Sequence, residues 1–130
     1  MDVATESLKP LDYFSHDTSA RHDPKCKRLR LVGGMEAYGR WWCLCEYLGF
    51  ADTHILPFAD NLDKAVLASE LECSVEEAED FLDSCARLGL INAELWEQGK
   101  VSSDRMARNA LEKARKSVAG RAGGRKKQSA

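Results

Sequence analysis

Along most of this chain apolar residues recur three and four positions apart, the spacing that lines one face of a helix. The first eleven residues break that rule: they are polar, show no period and are expected to be disordered. Residues 12–22 carry Tyr13 and Phe14 without a helical stripe and read as an ordered arm laid over the body. Asp23-Pro24 then opens a helix, with Asp23 accepting free N–H groups as the cap and Pro24 at a position where no donor is needed. Gly33-Gly34 stops it after Val32 by supplying a left-handed turn. A second helix follows over about Met35 to Leu48, with Ala37, Trp41, Leu44 and Leu48 on one stripe and Tyr38, Trp42 and Cys45 beside it. So wide an apolar face belongs in a core or at a partner surface. Gly49 ends this helix and a loop runs through Pro57.

From Asp60 the pattern is that of a helix-turn-helix. Asp60 or Asn61 caps a short helix whose inner face is read as Leu62, Ala65, Val66 and Ser69, and Glu72-Cys73-Ser74 makes the turn. Ser74 and Glu77 form a capping box, each side chain satisfying the other's end of the backbone. Val75, Ala78, Leu82 and Cys85, backed by Phe81 and Leu88, are the inner face of the next helix, and Gly89 closes it. Leu90-Ile91 and Lys100-Val101-Ser102 flank a polar loop containing Gly99 and predict a small β-hairpin, a wing. Ser103 or Asp104 caps a last helix with Met106, Ala107, Ala110, Leu111, Ala114 and Val118 on its stripe. The expected fold is therefore mainly α: a winged helix-turn-helix over residues 12–118 with a short β-hairpin wing and a C-terminal helix. Past Val118, residues 119–130 hold no large apolar side chain and are expected to be a disordered basic tail.

Composition adds exclusions. The 130 residues suit one domain, and 44% hydrophobic with 31% charged is ordinary for a globular protein. No apolar run reaches the roughly 18 residues of a membrane helix, and MDVATESLKP lacks the basic head and apolar stretch of a secretory signal. Five cysteines without paired ligand spacing read as reduced thiols in a cytoplasmic protein. The formal net charge of −2 conceals a division: residues 1–104 hold 10 Lys/Arg against 20 Asp/Glu, and residues 105–130 hold 9 against Glu112 alone. An acidic body with a basic end points to a polyanion, an acidic partner surface or a contact between the two halves.

Catalysis finds no constellation. His16-Asp17 and His22-Asp23 repeat a His-Asp pair, but a metal centre needs further ligands on rigid elements, and His54 sits in a distant loop. Cys43 and Cys45 are two apart on a helix and so point to different faces, and no Cys-x-x-Cys exists. Gly120–Gly124 lacks the Lys-Ser/Thr of a phosphate loop. The expectation is a protein that is not an enzyme and binds no metal or cofactor.

Nucleic-acid binding has a divided case. The second helix of a helix-turn-helix enters the major groove with basic and amide side chains, yet this one offers Glu76, Glu77, Glu79, Asp80 and Asp83, with no cation before Arg87. That acidic face would be repelled by phosphate, so Glu76 and Asp80 are read as a candidate protein interface instead. Arg21, Lys25, Lys27, Arg28 and Arg30 cluster on the first helix but are spread around it. The stronger DNA-binding candidates are Arg108, Arg115, Lys116, Arg121, Arg125, Lys126 and Lys127, a basic end able to follow a phosphate backbone without sequence preference. Trp41 and Trp42 point about 100° apart on a helix, so one is expected inside and the other at a surface. Both join the candidate interface, as a contact between copies.

The order of certain pieces carries a resemblance: Asp12-Tyr-Phe-Ser-His-Asp17, Asp23-Pro24-Lys25 with Leu29, and Gly34-Met-Glu-Ala-Tyr-Gly39 leading to Trp42 and Leu44-Cys-Glu-Tyr-Leu48. To these add Gly89-Leu-Ile91 and Val101-Ser-Ser-Asp-Arg-Met106. Together they resemble the N-terminal winged-helix domain of phage replication-initiation proteins and uncharacterised relatives of DnaD-type primosomal proteins, over roughly residues 12–118. The resemblance implies a scaffold or DNA-binding module of replication initiation on a prophage or mobile element, with DNA, replication proteins and further copies of itself as partners. It also implies that Tyr13, Phe14, Tyr38 and Gly39 define the fold. Members of that family usually continue into a second domain after a basic linker, and this chain stops where such a linker begins, at GRAGGRKKQSA. Two other readings compete: a winged-helix transcriptional regulator, which needs donors on the acidic helix, and a protein-docking adaptor without nucleic acid.

Overall fold

The computed structural model describes the backbone of residues 2–129 and the side chains of residues 2–121. It is mainly helical, with one small antiparallel sheet of two strands. The N-terminus corrects the first expectation. Val3–Ser7 form α1, capped by Asp2, whose carboxylate accepts from the Thr5 N–H at 2.7 Å. The segment is held by polar ties, which apolar periodicity does not register: the Leu8 carbonyl accepts from Thr53 N–H at 2.8 Å, and the Ser7 carbonyl lies 2.8 Å from Nε2 of His54.

Helix α2 spans Pro24–Phe50, and Asp23 caps it by accepting from the Cys26 N–H at 3.1 Å. Gly34 interrupts it with φ 70 and ψ −165, so the break predicted at Gly33-Gly34 is a bend between two helical arms. The buried stripe after the bend is Ala37, Trp41, Leu44, Cys45 and Leu48, as the periodicity predicts. Beyond α2, Thr53 and His54 take positive φ (61 and 58), and this turn buries the His54 ring.

Helix α3 (Asn61–Glu70) and helix α4 (Val75–Leu88) follow one another across a short turn. Asp60 caps the first, and the Ser74–Glu77 capping box is complete on the second. On α4 the predicted Ala78, Phe81, Leu82 and Cys85 are buried. On α3 the face is reversed. Leu62 and Val66 are 73% and 56% exposed, and Leu67 and Ala68 are buried with Leu71. Both sets obey a helical period; the turn decides between them. Leu71 enters the core where Glu72 turns with φ 55 and Cys73 N–H bonds back to the Ala68 carbonyl at 3.0 Å, and that rotates the 67/68/71 side inward.

The predicted wing is also corrected. Leu90 and Ile91 form no strand: both N–H groups turn back to the Cys85 carbonyl, at 2.8 and 3.4 Å, and both side chains are buried. Inside the expected loop lies α5 (Ala93–Glu97), capped by Asn92. The strand β2 (Lys100–Val101) pairs instead with β1 (Leu56–Pro57), Leu56 opposite Val101 and Pro57 opposite Lys100. Helix α6 (Asp104–Ser129) starts at Ser103, whose hydroxyl accepts from the Met106 N–H at 3.3 Å. It continues past Val118, the end expected from the sequence. Met106, Ala110 and Ala114 are its buried stripe. Among the described residues no helix is long and apolar enough to cross a membrane.

Candidate nucleic-acid interface

Alanine and methionine on the inner stripe of α6 let it lie close to the body, and the opposite side carries the charge. At about 100° per residue, Arg108, Arg115 and Lys116 fall on one outward-facing strip together with Glu112. All four are exposed, and none of the three cations pairs with a described carboxylate. The strip extends onto the body. Arg105 and Arg108 share a cleft with Lys25, Asp23 and Asp104, so the start of α2 brings one more cation beside the start of α6. Sequence reasoning does not single out Lys25 and Arg105 as members of this site. The N-cap at Asp23 places Lys25 on the first turn of α2, but only packing sets that turn beside α6.

Other predicted cations are engaged. Arg121 donates to Glu6 at 3.0 Å, tying α6 to α1, and Lys9 meets the same carboxylate at 3.0 Å. Lys9 first, then Arg121, hold the Glu6 carboxyl below its ordinary value. Lys113 sits 4.2 Å above the Tyr13 ring, and Arg30 donates to the Arg21 carbonyl at 2.8 Å beneath Tyr38. Arg125, Lys126 and Lys127 lie outside the described side chains.

The two tryptophans divide as their spacing predicts, one inside and the other half-buried. Trp41 is 2% exposed. Trp42 is roofed by the arm: the His16 ring stacks on it at 3.4 Å, Phe14 lies parallel at 6.2 Å, and the Arg105 guanidinium stands 6.0 Å away while meeting Asp17 at 3.3 Å. Part of the Trp42 ring is therefore covered by the chain's own residues 14–17, and the rest stays exposed. Glu76 and Asp80 are exposed on α4 and make no ion pair with a described residue. Their neighbours Glu79 and Asp83 are tied to Lys64 (3.0 Å) and Arg87 (2.6 Å).

The same arrangement disperses the residues that could do chemistry. Of the two His-Asp pairs, Asp17 serves Arg105, Asp23 caps α2 and His16 stacks on Trp42. His54 is buried with its two ring nitrogens 2.9 and 2.8 Å from the carbonyls of Leu48 and Ser7. Among the described residues no three His, Cys, Asp or Glu gather as a metal site. All five cysteines are free thiols. Burial pushes the Cys45 thiol up to about 12 and raises those of Cys26 and Cys85, which keeps them protonated and unreactive.

No curated protein and no solved structure matches the chain. A family model does, over residues 13–105, which runs from the arm to the second residue of α6 and leaves most of the basic helix beyond it. The match takes in the arm over Trp42, the bent α2, helices α3 and α4 and the small sheet, and it spans well over half of the sequence: the chain belongs to the Lin1244/Lin1753-like N-terminal domain family, a family of uncharacterised proteins.

Proposed function

We propose that the chain is a non-enzymatic DNA-binding scaffold module of phage-type or mobile-element replication initiation, working in the cytoplasm. Its winged-helix body associates with further copies, and its basic last helix lies along the phosphate backbone. The observation that carries the DNA part is the outward strip of α6, where Arg108, Arg115 and Lys116 are exposed and unpaired with described carboxylates. The sequence continues that charge into Arg125, Lys126 and Lys127. Contacts of this kind hold phosphate without reading bases, so low sequence specificity follows.

The acidic outer face of α4 argues against an operator-reading regulator, because Glu76, Glu77 and Asp80 occupy positions that such a helix gives to donors. It favours the adaptor as second reading, with α4 docking a basic protein surface.

Fluorescence anisotropy with single- and double-stranded oligonucleotides tests the leading reading. The full chain should bind with a steep salt dependence. The Arg108→Gln, Arg115→Gln, Lys116→Gln variant should lower that slope by about 2 to 3, since each phosphate neutralised by a cation adds close to one. No binding by the unmodified chain at low salt overturns the DNA reading and leaves the adaptor.

A further inference from the structure

Helix α2 carries large apolar side chains on the wrong side. In its first arm Cys26 and Leu29 enter the core. At about 100° per residue, Lys27, Leu31, Arg28 and Val32 fall within one arc on the opposite, outer side. Leu31 and Val32 are 86% and 70% exposed, and Met35, just past the bend, is 65% exposed. Scattered single apolar residues on a surface are ordinary. Three large exposed ones around one bend form a patch, and Val32 and Glu36 at its side also rim the cleft that Glu77, Asp80 and Phe81 of α4 line.

The bend is built into the sequence. Gly34 holds φ 70, a left-handed conformation that disfavours any side chain, and a Cβ on Gly33 would stand 2.5 Å from that of Ala37. The patch is also bracketed by opposite charges. Lys27 and Arg28 stand one turn before it, exposed and without a described ion pair. Glu36 follows it directly, its side chain 75% exposed and tied only to Arg40 of the same helix, at 3.0 Å.

We infer that this face is a two-fold contact between two copies of the chain. The order basic, apolar, acidic along the two arms of bent α2 is self-complementary when a second copy runs antiparallel to it. A two-fold axis near Leu31 and Val32 sets the Lys27/Arg28 end of each copy against the Met35/Glu36 end of the other. The apolar side chains then close over one another, and both charge pairings repeat by symmetry, as an isologous interface requires. Charged flanks of this kind fix register and orientation more than they add affinity. The inference deepens the self-association part of the reading above and is independent of its DNA part.

The test is sedimentation equilibrium of the full chain under reducing conditions, over a wide range of concentration. The unmodified chain should dimerise, and Leu31→Glu with Val32→Glu should weaken the dimer by more than about tenfold. That double variant should keep its DNA binding in the anisotropy assay. Lys27→Glu and Glu36→Lys provide a second arm that does not depend on the apolar residues. Each alone sets like charges together at both ends of its homodimer and should be weakened. Mixed in equal amounts, one copy of each restores both opposite-charge pairings, so the mixture should dimerise more tightly than either variant. A dimer indifferent to Leu31→Glu/Val32→Glu overturns this face while leaving self-association standing. A mixture no tighter than its components overturns the two-fold register. A chain that stays monomeric throughout overturns both the face and the self-association reading, whatever the DNA titration gives.

Discussion

Helices α4 and α6 both begin at a capping serine, and each lays one face on the body while holding the other in solvent. They differ in what each face is made of. On α4 the inner face is Phe81, Leu82, Cys85 and Ala78, and the outer one is carboxylate. On α6 the inner face is Met106, Ala110 and Ala114, and the outer one carries Arg108, Arg115 and Lys116. The first helix is an anchor, since its large side chains remove much apolar area from water. The second is an attachment: apart from Met106, which joins the core, its inner face is alanine, which lets the backbone come close but buries little. Much of its fixing is polar, through Arg105 to Asp17 and Arg121 to Glu6. The anchor's outer charge is negative and the attachment's outer charge is mainly positive.

Substitutions on the two inner faces should separate anchor from attachment most sharply. Leu82→Ala leaves a cavity in the core and should cost about 2 to 5 kcal/mol in urea unfolding. Ala114→Gly on α6 should cost only about 1 kcal/mol, the helix-propensity difference. Equal losses would show that α6 is as much a part of the core as α4.

The caps come next. Ser74→Ala removes one half of a reciprocal box and should cost about 1 kcal/mol, read as a lower melting temperature. Restoring the hydroxyl with Ser74→Thr should recover most of it, whereas a loss of stability in that variant as large as in the alanine form would assign the effect to crowding.

The smallest effect concerns the polar attachment. Lys9 and Arg121 hold the Glu6 carboxyl below its usual value of 4.5. A carboxyl lowered in the folded state contributes stability that is present above its unfolded value and is lost as pH falls through the folded one. Amide exchange at α1 should therefore quicken as pH falls below about 4.5, beyond the intrinsic pH trend. Glu6→Gln should remove that dependence while leaving exchange in α4 unchanged. An identical acid response in both forms would mean that α1 is held by the His54 and Thr53 contacts alone.

Local signals predict many of these features. The caps at Asp23 and Ser74, a cap at Asp60 or Asn61, the closure at Gly89, the helix break at Gly33-Gly34 and the buried stripe from Ala37 to Leu48 each depend on residues within a few positions of one another. So does the outward basic strip of α6, because its residues share one helix. The face of α3 is ambiguous in the sequence, since Leu62/Val66 and Leu67/Ala68/Leu71 both fit a helical period. The wing misleads because Leu90 and Ile91 are as apolar as a strand and yet close the end of α4. Helix α1 escapes periodicity because it is held by carbonyls and ion pairs that leave no apolar pattern.

By itself, then, the sequence determined where most helices begin, the acidic character of α4 and the basic character of α6, because capping and helical spacing are local. Only the tertiary structure decided that Trp42 is partly covered by the arm, that β2 pairs with Leu56–Pro57, that Lys25 joins Arg105 and Arg108, and that Leu31, Val32 and Met35 remain exposed. The first three depend on elements far apart in the chain meeting in space, and the last on none closing over those side chains. Apolarity alone states that a side chain should leave water; the partner that covers it is chosen by packing.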